Sequence, residues 1–155
     1  MLTSLLIGLL AGARSMTPLA AVSAAARAGA LPFGGGPARL LANPIVARTA
    51  TALAAGELLG DKLPSAPNRT SPPGMAGRIL TGALAGAALA PRGDRTAAAV
   101  LGALGAVGGA YLSFGARKAA MRRFGQTATG LVEDALVVTA TRRLVQGASA
   151  PAGRR

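Results

Sequence analysis

The stretch GLLAGARSMTPLAAV, Gly8 to Val22, lies inside the first of five apolar segments and carries both features that stop a helix. Pro18 lacks a backbone N–H and its ring clashes with the carbonyl four residues back, while Gly12 adds conformational freedom. A helix entering from Leu2 is therefore expected to break or kink across GARSMTP, Gly12 to Pro18. The segment from Leu2 to Ala30 holds 29 residues, more than the ~20 needed to cross a hydrocarbon core at about 1.5 Å per residue. It reads either as one broken helix or as a re-entrant pair of half-helices. Irregular backbone at such depth is tolerated only when it is buried in protein or lines a wet cavity.

Outward from this break, four more apolar stretches run Pro44 to Leu63, Met75 to Ala90, Thr96 to Phe114 and Thr127 to Val145, each bounded by Pro, Gly or Arg. The expected fold is all-α, a polytopic membrane helix bundle of about five helices over residues 1–147, with 148–155 as a short basic disordered tail. Leu2 to Ala13 reads as a retained span, because no Lys or Arg precedes Arg14 to make the positive region of a signal peptide. Glycine pairs at helix-packing spacing recur: Gly8 with Gly12, Gly56 with Gly60, Gly82 with Gly86, and Gly102, Gly105 and Gly108 together. Taken as a set they predict close helix–helix approach.

Composition supports the same class. Hydrophobic residues make up 51% and charged residues 14%, with a mean hydropathy of +0.44; too little polar surface remains for an ordinary soluble domain. The net charge of +12 suits nucleic acid or an anionic membrane face. With no Trp, one Tyr and three Phe there is little for bases to stack on, so nucleic-acid binding is set aside. The absence of Cys and His excludes a disulfide framework, zinc ligation by those residues and Cys or His nucleophiles. No metal or cofactor is expected. Positive charge is nearly balanced between the two sets of loops, so either orientation, or both, fits.

Carboxylates inside apolar segments need a physical reason. Glu57 and Asp61, four residues apart, project from one helix face about 40° from each other, where they suit cation binding or proton handling, or simply cap a span at the interface. Glu133 and Asp134 are adjacent and point about 100° apart, so only one is expected to face any single cavity while the other bonds a neighbouring helix. Arg14 and Arg117 are the natural counter-charges. Lys62, Asn68, Arg69 and Thr70 belong to a stiff Pro-rich loop that reads as a cover for the site or as a plain connection. Ser15 and Thr17 supply hydroxyls beside the break. A structural salt-bridge network remains the alternative for all these charges.

The chain also echoes itself: SLLIGLLAGARSM resembles AYLSFGARKAAM from Ala110 to Met121, and AGELLGD, Ala55 to Asp61, resembles LVEDALV, Leu131 to Val137. Each half places a Gly-Ala-Arg tripeptide before an acidic helix, with one helix between the halves, which is the arrangement of an inverted repeat.

The residues GARSMT, GELLGDKLP and PNRTSPPG, with the small-residue helix that follows, resemble the bacterial membrane family DUF4126 over about Leu5 to Leu144. That resemblance implies a multi-pass protein of the inner (cytoplasmic) membrane and supplies no catalytic or binding residues. GARSMT and the Glu57–Asp61 spacing also loosely resemble the motifs of undecaprenyl pyrophosphate phosphatases, although the motif order differs and Lys118 stands in the second half where Ser15 stands in the first. The expected function is that of a small transporter or channel-like protein, homo-oligomeric in the lipid bilayer, handling an ion, a proton or an anionic substrate. A hydrolase or transferase acting on a phosphate-bearing lipid, and a scaffold without turnover, are the alternatives.

Overall fold

The computed structural model describes residues 1–60 and 71–149, and these form an all-helical protein. Among them are seven α-helices: α1 Leu2–Ala13, α2 Met16–Arg27, α3 Pro37–Leu41, α4 Pro44–Gly60, α5 Pro72–Ala88, α6 Arg95–Phe124 and α7 Gln126–Ser149, with a 3₁₀ turn at Arg92–Asp94 ahead of α6. The number exceeds the expected five because the first apolar stretch divides in two and the glycine-rich segment after α2 leads into the short α3. Helix starts follow local chemistry: Pro37 and Pro72 occupy first-turn positions where no N–H is needed. Asn43 precedes Pro44 and its Oδ1 accepts the Ile45 N–H at 2.9 Å. At the end of α2, Gly29 takes φ +65°, and the Gly29 and Ala30 N–H groups reach back to the carbonyls of Ala26 and Ala25, a Schellman close that needs glycine at the left-handed position. Helix α7 continues two residues into the predicted tail, and residues 150–155 lie outside the described residues.

Three helices pack through glycine. A Cβ on Gly82 would stand 2.6 Å from the Gly102 carbonyl oxygen, and one on Gly86 would stand 2.7 Å from that of Ala98. Gly8, Gly12, Gly102, Gly105 and Gly109 likewise press against backbone of the facing helix. Matching levels rise together along α1 and α6, Gly8 at Gly102 and Gly12 at Ala106 to Ala110, so these two run parallel; α5 runs opposite to both. Two expectations are corrected here. Gly109 makes the close backbone contact with α1 at Leu9 while Gly108 meets only the Leu9 side chain, at 3.9 Å, because the α6 face continues at a four-residue step from Gly105. A Cβ on Gly56 would meet nothing within 4 Å among the described residues, so no helix described here packs on it.

Of the two readings of the first segment, the pair of half-helices is the one observed. Ser4 donates to the Gly86 carbonyl at 3.2 Å, near the end of α5. Gly34, in the segment after α2, accepts from Arg95 at 2.8 Å, at the start of α6. Both ends of the α1–α2 pair thus meet the same end of the α5–α6 pair. Had α2 continued in line with α1, its last residue would fall about 18 Å beyond the break while Arg95 lies about 20 Å before it. Residues 28–34 reach only ~25 Å. Leu19 and Val22 accordingly share a buried cluster with Ile7, Ala88 and Leu89. Helix α1 packs along α5 and α6, and α2 along α4, α5 and α7.

The apolar residues are distributed by size. The buried set is mostly alanine, whereas Leu59, Leu80, Leu104, Leu112 and Leu136 are each at least 60% exposed. Among the described residues one segment, Arg92–Phe124, is long and apolar enough to cross a membrane.

Candidate functional site at the helix break

In an unbroken helix the N–H groups of Ser15 and Met16 would bond the carbonyls of Ala11 and Gly12. Here they turn to the Glu57 carboxylate of α4: Ser15 N–H to Oε1 at 2.9 Å and Met16 N–H to Oε2 at 2.9 Å. The Ser15 hydroxyl also donates to Oε1, at 3.2 Å. A carboxylate at a helix N-terminus satisfies orphan donors and sits at the positive end of the helix dipole. The Gly12 carbonyl, released at the other side of the break, accepts from Arg78 Nε of α5 at 2.9 Å. The break is thus an exchange of backbone bonds for two side chains of opposite charge, each placed at the helix end whose dipole favours it.

Arg14, at the tip between α1 and α2, is 1% exposed and is the largest fully buried side chain. Its Nη1 donates to the Glu57 backbone carbonyl at 3.1 Å and its Nη2 pairs with Asp134 Oδ1 of α7. The expected pairing of Arg14 with an acidic helix is therefore met through Asp134, while the Glu57 carboxylate is spent on the α2 N-terminus. Asp134 and Glu133 divide as their helical geometry requires: Glu133 Oε2 accepts from Arg117 Nη1 of α6 at 2.9 Å. This second pair lines a pocket of about 300 Å³ between α6 and α7 that also touches Ala13, Ser113 and Thr129. Through Ala13 the pocket abuts the tip of the α1–α2 pair.

Thr17, in the first turn of α2, is buried, and its hydroxyl has no hydrogen-bond partner among the described residues. Asp61, Lys62, Asn68, Arg69 and Thr70, with the loop reading attached to them, lie outside the described residues. The structure therefore brings Arg14, Ser15, Thr17, Glu57 and Asp134 to the break and sets Arg117 and Glu133 on the wall of the adjoining pocket.

Arg78 was not among the expected site residues. It is 7% exposed and holds together the end of α1 and the start of α5, its Nη1 donating to the Gly74 carbonyl at 3.1 Å. The signal was present in the sequence, since Arg78 lies within the third apolar stretch, but it reads there as a loop charge. The second Gly-Ala-Arg, Gly115 to Arg117, lies inside the continuous α6, so the two halves share the tripeptide and not the break; α1 and α6, which carry the two copies, run parallel, so the inverted repeat expected from the sequence is corrected. No known family model, characterised protein or solved structure matches the chain.

Proposed function

We propose that the protein is a small transport or channel-like protein embedded in a membrane, with its ion-handling centre at the tip of the α1–α2 pair. The observation that carries this reading is the meeting of two half-helix ends on a buried arginine and its carboxylates. Discontinuous helices that end on charged groups at half depth build the binding sites of many transporters. Each half-helix has 12 residues, or about 18 Å, roughly half of a hydrocarbon core. The outward Leu residues and the small-residue interior support membrane embedding, because lipid-facing positions favour large apolar groups and helix contacts favour glycine and alanine. On this reading α1 and α2 form a re-entrant pair within a polytopic bundle, and the pocket walled by Arg117 and Glu133 is the approach to the tip. Membership of DUF4126 and a bacterial inner-membrane location belong to the same proposal and rest on the motifs GARSMT, GELLGDKLP and PNRTSPPG; homo-oligomeric assembly belongs to it as well, because so few short helices enclose little interior.

The test is flux in sealed proteoliposomes with a panel of protons, potassium, chloride and inorganic phosphate. The expected result is passage of one of these by the native protein and its loss in Glu133→Gln and Arg117→Gln, with helical content retained. Absence of flux for the whole panel, or unchanged flux in both variants, contradicts the transport reading. Release of phosphate from a polyprenyl pyrophosphate, lost in Ser15→Ala, would instead establish the hydrolase.

A further inference from the structure

A groove of about 720 Å³ runs between α2 and α4, away from the break, and is lined by Ala24, Arg27, Ala47, Arg48, Thr51 and Ala55 among others. The two helices are antiparallel, with Glu57 meeting Ser15 at one end and Arg27 facing Arg48 at the other. Both arginines are exposed, and neither has a hydrogen-bonded or ionic partner among the described residues. Among the described residues no carboxylate lines the groove. The Thr51 hydroxyl is turned back onto the Ala47 carbonyl at 2.8 Å, so it leaves the floor apolar. From the level of Arg48 to that of Ala55 the groove runs about 10 Å along α4. Its lining is mostly single methyl groups and, Ala47 apart, exposed, which leaves an open apolar groove along which an extended hydrocarbon chain can lie.

We propose that this groove binds one anionic phospholipid, with its phosphate held between Arg27 and Arg48 and an acyl chain laid along the alanine floor toward Ala55. The charge argument and the shape argument are separate and agree. Two unpaired guanidinium groups at one mouth suit a phosphate by fork-like hydrogen bonding, and basic pockets between membrane helices are where lipid head groups are recognised. The apolar groove beneath selects a lipid over a free anion. The inference takes the membrane setting from the proposed function and is independent of flux, so the two fail separately.

Native mass spectrometry of the detergent-solubilised full chain, titrated with dioleoylphosphatidylglycerol or dioleoylphosphatidylcholine, tests it. The expected result is one retained phosphatidylglycerol at least tenfold tighter than phosphatidylcholine. Arg27→Gln/Arg48→Gln should abolish that preference, and Ala55→Leu, which narrows the groove and leaves both charges, should weaken retention of both lipids. Equal retention of the two lipids by the native protein, or undiminished preference in the double arginine variant, overturns the proposal. Displacement by glycerol phosphate at equal concentration also overturns it, because that outcome describes a site for a free phosphate.

Discussion

The chain contains the same tripeptide twice and folds it in two ways. At Gly12-Ala13-Arg14 the helix stops and the chain turns back; at Gly115-Ala116-Arg117 it passes through the interior of a 30-residue helix without interruption. The tripeptide is therefore not the cause of the break. What differs is downstream and across the bundle. Pro18 follows four residues after Arg14, so that the missing N–H falls in the first turn of α2 where it is least costly. Glu57 and Arg78 stand ready for the freed N–H and carbonyl groups. After Arg117 come Lys118, Ala119 and Ala120, good helix formers, and the arginine is paired with Glu133 alongside the helix. A break is made where proline is joined by buried partners for both severed ends.

Matched substitutions in the two tripeptides test this contrast. The largest effect is expected for Arg14→Ala, which empties the space of a fully buried side chain, leaves the half-buried Asp134 without its guanidinium and frees the Glu57 carbonyl, and should cost roughly 3 kcal/mol. Arg117→Ala, whose pair is more exposed, should cost less than half of that; thermal unfolding of the detergent-solubilised variants measures both. Equal losses would erase the distinction between the two sites.

The glycines come next. Gly12→Ala drives a methyl group into the α6 backbone at Ala106 and Ala110, an overpacking expected to cost about 3 kcal/mol. Gly115→Ala meets nothing within 4 Å inside a helix and should stabilise by about 0.5–1 kcal/mol. The same substitution thus carries opposite signs in the two copies, read as melting shifts in opposite directions.

A smaller effect sharpens the role of Glu57. Glu57→Gln keeps an acceptor oxygen but loses the charge at the α2 N-terminus, and should cost about 1–2 kcal/mol. Glu57→Leu, which removes the acceptor as well, should cost more. Amide exchange at Ser15 and Met16, followed by mass spectrometry, should rise from native to Gln to Leu; unchanged exchange would show that the carboxylate does not hold these N–H groups.

Much of this was legible in the sequence, and the limits have physical causes. Pro18 and Gly12 announced an interruption, and the apolar runs located α4 to α7 to within a few residues at most of their ends, because proline, glycine and hydrophobic periodicity act locally. The direction taken after the break was not legible, since it depends on where α5 and α6 meet Ser4 and Gly34. Glycine spacing found the α1, α5 and α6 faces but misjudged Gly56 and Gly108, for spacing says that a stripe exists and not that a partner faces it. The division of Glu133 and Asp134 between two neighbours followed from helical geometry alone. The identity of Arg14's partner did not, because Glu57 and Asp134 are equally suitable carboxylates until the fold shows that one caps α2. Arg78 was missed for the same reason: its acceptor is a backbone carbonyl, exposed only by the break itself.

The central claim is that α1 and α2 are half-helices that return to the same end of the bundle. The chain has no native cysteine, so spin labels on Ala28→Cys, at the end of α2, and Gly93→Cys, just ahead of α6, report one distance without background, and both positions are exposed. Double electron–electron resonance is predicted to give a separation below about 25 Å. A separation above about 30 Å, as required if α2 runs on in line with α1, would contradict the account.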